Sequence, residues 1–75
     1  MYDYTDLMRL ITFKYGTQER FAEALGMGRT TLNLKLNNKV NFTQREISKA
    51  VGLLSIRKAD IPRYFFALKV QKHEQ

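Results

Sequence analysis

Two glycines flank a methionine in the stretch ALGMGRTTL, residues 24–32, and interrupt a pattern that is otherwise helical. A glycine in a helix interior is about 1 kcal/mol less favourable than alanine, so a continuous helix through this stretch is not expected. Gly26 can take the left-handed conformation that ends a helix, and Gly28 leaves the start of the next helix sterically open. The chain is therefore predicted to turn a sharp corner here, with Met27 packed inside it.

Helices are predicted on both sides of this corner from apolar spacing and capping residues. The first covers residues 4–15, with Asp3 or Thr5 as its N-cap and Gly16 after its end. The second follows Thr17 and is closed by Gly26, and the third runs over residues 29–36. A fourth starts at Thr43, because TQRE at 43–46 is a capping box and Phe42 with Ile47 has the spacing of a hydrophobic staple.

The last third of the chain allows two interpretations. Asp60 with Pro62 indicates a short helix, whereas Tyr64, Phe66, Leu68 and Val70 also alternate as they would in a strand. A helix to about Phe66, followed by an extended segment, is favoured. We expect the aromatic residues 64–66 to form core and lid, and any exposed part of them to be a protein-contact patch.

These elements predict an all-α fold, a small bundle of four or five short helices. Residues 1–70 are expected to form a single domain and residues 71–75 a disordered tail. With 75 residues and no cysteine, the chain must rely on one small core without a disulfide or thiolate metal site. No apolar run approaches the roughly 20 residues of a membrane span, and the acidic start is no secretory signal. A cytoplasmic protein is expected.

Catalysis finds little support in the sequence. His73 is the single histidine and falls in the predicted tail, so a histidine-based triad or metal site would lack partners. GMG lacks the pattern of a phosphate-binding loop. We therefore expect neither enzymatic activity nor a metal or cofactor.

The positive charge is concentrated after the glycine corner. The net charge is +6, and residues 28–49 carry five cations against Glu46 alone. A focused positive surface favours encounters with polyanions, of which nucleic acid is the commonest. A basic surface that serves only solubility is the alternative.

The stretch QERFAEALGMGRTTLNLKLNN, residues 18–38, resembles the helix-turn-helix domains of phage repressor and Cro proteins. Small Ala22 stands where the two helices would cross, and Gly26 stands at the turn. With LNNK and the ending IPRYFFALKV, the chain looks most like short prophage-encoded regulators of Gram-positive bacteria. Lys35 departs from the family pattern, since many members have an apolar residue there.

The resemblance implies that helix 29–36 lies in the major groove of double-stranded DNA. Arginine suits guanine and asparagine suits adenine through paired hydrogen bonds. The residues implied to contact bases are Arg29, Thr30, Thr31 and Asn33. Those implied to contact phosphates are Gln18, Lys35, Asn37, Asn38 and Lys39. Whether Leu34 faces the core or the DNA is open.

The resemblance implies a Cro-like transcriptional regulator that recognises an operator in the cytoplasm of a bacterial host. A homodimer through FALKV, residues 66–70, is compatible with this interpretation. The alternative is an antirepressor or modulator that acts by protein–protein contact with a partner phage repressor, and its cue is the aromatic C-terminal third. RNA binding is weaker, because residues 28–39 contain no aromatic side chain for base stacking.

Overall fold

The computed structural model describes residues 1–70, so the predicted tail with His73 lies outside the described residues. Five short α-helices follow one another, and a single 3₁₀ turn, Lys58–Asp60, precedes the last. The helices are α1 (Thr5–Tyr15), α2 (Gln18–Leu25), α3 (Arg29–Leu36), α4 (Gln44–Leu54) and α5 (Ile61–Phe65). The predicted all-α bundle is confirmed. No helix within residues 1–70 has the length and apolar character needed to cross a bilayer.

The helix ends follow the capping residues closely. Thr17 Oγ1 accepts the backbone N–H of Arg20 at 3.1 Å at the start of α2. At the start of α4, Thr43 Oγ1 accepts the Glu46 N–H at 3.1 Å, and Glu46 Oε1 accepts the Thr43 N–H at 2.9 Å. This is the predicted capping box, which satisfies two N–H groups that a helix start leaves unpaired.

The corner between α2 and α3 is built as the glycines suggest. Gly26 has a φ of +83° and ends α2 in the left-handed conformation. The next residue, Met27, donates its N–H to the Ala22 carbonyl at 3.0 Å and packs its side chain against the core. Ala22 is buried at this point, so the two helices meet over a small side chain.

Every α-helix contributes to one apolar core. Its largest fully buried side chains are Leu7, Ile11, Phe21, Leu32, Leu54 and Phe65. The described chain ends also meet, because the Asp3 N–H donates to Ala67 O at 2.7 Å and the Lys69 N–H donates to Met1 O at 3.1 Å. The segment after α5 is therefore extended, in agreement with the favoured interpretation, and it is anchored to the first three residues.

Lys35 is the only charged side chain classed as buried among residues 1–70. Its Nζ lies 3.0 Å from Glu46 Oε1 and donates to the Asn41 carbonyl at 3.0 Å. Partial burial raises the pKa of Glu46, but the Thr43 N–H and the Lys35 ammonium outweigh it, so this pKa lies below its ordinary value. The end of α3 is thereby fixed to the start of α4.

Two glycine-to-alanine substitutions should change stability in opposite directions. Gly26→Ala places a side chain at φ +83° and should cost about 1–2 kcal/mol. Gly52 lies within α4, where an added Cβ meets open space, so Gly52→Ala should stabilise by about 0.5–1 kcal/mol. Urea unfolding of both variants and the unmodified chain measures this. Equal effects of the same sign would contradict the assigned corner.

Glu46→Gln removes the charge opposite Lys35 but keeps an acceptor oxygen. It should destabilise the fold by about 1–3 kcal/mol at neutral pH, because a buried cation loses its counter-charge. The pKa of Glu46 is depressed in the folded chain, so its charge stabilises above the unfolded pKa, and the effect is lost as the pH falls through the folded pKa. The difference in urea unfolding between variant and parent should therefore shrink with acidification. A difference that stays constant into that acidic range would show that the ion pair contributes nothing.

Candidate functional site

The four residues predicted to contact bases lie together at the start of α3. Arg29, Thr30, Thr31 and Asn33 are all exposed. Gly28 precedes them as the N-cap, and a Cβ there would meet open space. The first turns of α3 are thus accessible to a second molecule. Their predicted contacts with DNA bases remain a prediction.

Gln18 and Arg29 are brought together although they are eleven positions apart in the sequence. They line an open cleft with Thr17 and Glu19, between the starts of α2 and α3. Because Glu19 is exposed there, the cleft carries charges of both signs.

The remaining residues predicted to contact phosphates differ in their surroundings. A phosphate contact by Lys35 requires a solvent-facing ammonium, and the structure instead buries it between Glu46 and the Asn41 carbonyl. Asn37 turns back on α3, where its Nδ2 donates to Asn33 O at 2.8 Å. Lys39 is exposed.

Asn38 holds the first residues of the chain. Its Oδ1 accepts the Tyr2 N–H at 2.9 Å, and its Nδ2 donates to Tyr2 O at 2.8 Å. Asn38 adopts a φ of +63°, a conformation that asparagine tolerates better than most residues. We call this pair of hydrogen bonds the Asn38–Tyr2 clasp, and it occupies the side chain that was predicted to contact a phosphate.

Apolar side chains are exposed on several faces. Leu34 is 39% exposed, so it does not belong to the core. Phe13 on α1 is 84% exposed beside a shallow groove formed with Met8, Arg9 and Thr12. The sequence analysis did not predict a role for Phe13. Its position outside the helical face of Leu7 and Ile11 indicates that the side chain is exposed.

A second groove lies between α4 and α5, and we call it the α4–α5 groove. Its volume is about 200 Å³, and it is lined by Gln44, Ile47, Ser48, Val51, Ile61 and Phe66. Phe65 is buried and Tyr64 half-buried, whereas Phe66 is 49% exposed at the edge of the groove. The aromatic cluster therefore has the exposed part that the sequence analysis associated with protein contact.

A chain of ring contacts connects Phe66 to the core. The Tyr2 ring lies edge-on to Phe66 at 6.1 Å between centroids and 6.0 Å from Tyr4. Phe42 then contacts Tyr4 at 5.4 Å and Phe65 at 5.5 Å, both edge-on. Edge-on geometry is favourable for aromatic pairs, so Phe66 is supported from within the fold.

A family model described as Protein of unknown function (DUF739) matches residues 1–68. The solution structure of the modulator of repression (MOR) of the temperate bacteriophage TP901-1 from Lactococcus lactis superimposes with a TM-score of 0.77. It is 50% identical, over 93% of this chain and 95% of that chain. No curated protein matches this chain.

These findings correct two expectations. The resemblance to the phage repressor and Cro family is wrong, and so is the Cro-like DNA-binding repressor that it implied. The physical reason is that a small residue at a helix crossing and a glycine at a tight turn serve any pair of short packed helices, whatever they bind. The chain belongs to the family described as Protein of unknown function (DUF739).

Proposed function

We propose that this chain is a modulator of repression that acts by contacting a repressor protein. The observation that carries this proposal is the 50% identity to the phage TP901-1 modulator of repression, which extends over 93% of the chain. Identity at this level over nearly the whole length supports a shared mode of action more strongly than a shared fold alone.

The surface supports a protein partner. Phe66 and Leu68 are exposed by 49% and 69%. Large apolar side chains in contiguous exposed patches are typical of protein-contact sites, and aromatic residues are enriched in such interfaces. By contrast, the Lys35 ammonium and the Asn38 amide already have partners inside the protein.

The mode of action is a shift of the repressor's binding equilibrium, without catalysis. A ligand changes an equilibrium only by its different affinities for the two states. If the chain binds free repressor more tightly than operator-bound repressor, it lowers occupancy of the operator, and the opposite preference raises it. In this proposal the chain acts in the bacterial cytoplasm, where the repressor meets DNA.

A reconstitution from purified components measures how the chain changes the repressor's affinity for its operator. We expect the full chain to form a complex with the purified repressor encoded in the same genome, and to change that repressor's apparent affinity for its operator duplex. A gel-shift titration of repressor on operator, with and without the chain, gives the direction. Failure to form any complex, or an unchanged titration, would contradict the proposal.

The predicted DNA contacts on α3 are tested in the same reactions. The chain is added to the operator without repressor, together with an Arg29→Ala/Asn33→Ala variant. If the proposed function is correct, the modulation of the repressor does not require direct operator binding by the chain. Sequence-specific operator binding by the chain alone, lost in the double variant, would show that α3 reads bases.

A further inference from the structure

We infer that the α4–α5 groove, extended by Phe66 and Leu68, receives an apolar ridge of the repressor that is flanked by carboxylates. This inference rests on the proposed function and adds the contact surface and the chemistry of its occupant. Shape, continuity and charge support it.

The shape of the groove fits an apolar ridge. Ile47 and Val51 are one helical turn apart on α4, and Ile61 lies across from them on α5. All three are half-buried, so apolar surface remains accessible along the groove. Gln44 and Ser48 border it without charge. An amphipathic helix could place side chains at i, i+3 or i+4, and i+7 into such a groove.

The apolar surface continues beyond the groove. Phe66 ends α5 at the edge of the groove, and the extended segment after it exposes Leu68 and Val70. Leu68 and Val70 are alternate residues of that segment and so point to the same side. The exposed fractions of Phe66, Leu68 and Val70 are 49%, 69% and 87%. The bridge between Tyr2 and Leu68 fixes this segment to the start of the chain. The partner therefore meets a surface that is already in place, which lowers the entropy lost on binding.

The charges of residues 44–70 indicate which charged groups the partner carries beside its apolar ridge. Residues 44–70 contain two carboxylates, and both are occupied: Glu46 lies 3.0 Å from Lys35, and Asp60 lies 3.1 Å from Arg57. Within the part of the chain that the structure describes, four of the six cations of this stretch have no carboxylate within 4.0 Å: Arg45, Lys49, Lys58 and Lys69.

The stretch that forms the groove therefore carries six cations against two carboxylates, and carboxylates on the partner complement this net positive charge. A second copy of this chain would instead bring two positive surfaces together, since each copy carries a net charge of +6. The repressor ridge is accordingly expected to present Asp or Glu beside its apolar side chains.

Two pairs of matched variants test the inference with the full chain and the repressor encoded in the same genome. Phe66→Ala should weaken the complex by about tenfold, as expected for loss of an aromatic anchor, whereas Phe13→Ala should change it by less than about twofold. Ser48→Glu and Ser48→Lys add side chains of similar length to the groove border. The glutamate variant should bind more weakly than the lysine variant, because it repels the partner's carboxylates.

Titration calorimetry measures these affinities, and circular dichroism and thermal unfolding establish that each variant is folded. Equal binding by Phe66→Ala and Phe13→Ala would overturn the surface, and tighter binding by Ser48→Glu than by Ser48→Lys would overturn the proposed charge. Sedimentation that shows a dimer of the chain disrupted by Phe66→Ala would assign the groove to a second copy. Each of these outcomes is obtained with an unmodified chain that still binds the repressor, so it overturns the inference about the groove and leaves the proposed function in place. Absence of binding by the unmodified chain would instead refute the proposed function itself.

Discussion

The Asn38–Tyr2 clasp joins the loop after α3 to the first residues of the chain. Asn38 follows α3, and its amide pairs with both backbone groups of Tyr2. The residues on either side of Tyr2 in turn bond to Ala67 and Lys69, which holds the segment after α5 in place. The Tyr2 ring supports Phe66 from the side. A chain without disulfides thus holds its described ends together through this side-chain amide, the backbone hydrogen bonds beside it and the Tyr2 ring.

The features that depend on neighbours in sequence were predictable. Thr43 with Glu46 forms its capping box, and Gly26 takes the left-handed conformation at the corner. These outcomes follow from local backbone chemistry, which the order of residues determines directly. The switch from helix to extended chain near Phe66 also follows the predicted course.

Features that depend on distant partners were not predictable from spacing. Lys35 was placed at the DNA, but Glu46 and Asn41 reach it across the loop after α3 and turn it inward. Asn38 was likewise assigned a phosphate, whereas Tyr2, 36 residues earlier, occupies its amide. The exposure of Phe66 beside buried Phe65 depends on how α5 packs on α4. The identity of a polar residue therefore gives little information until its partner elsewhere in the chain is known.

The wrong expectation of a Cro-like repressor has a physical basis. A helical corner of this kind fixes how two short helices pack, and the surface residues decide what the bundle binds. Here three of the seven large exposed apolar side chains of residues 1–70, Phe66, Leu68 and Val70, lie at the edge of the α4–α5 groove or in the segment after it, whereas α3 exposes Leu34 alone. We propose that this groove, and not the start of α3, contacts the repressor.

Amide hydrogen exchange of the full chain, measured with and without saturating repressor, locates the contact surface. Binding through the groove should slow exchange in α4 and in residues 61–70 and leave the start of α3 unchanged. Protection confined to residues 29–33, with α4 and residues 61–70 unchanged, would contradict it.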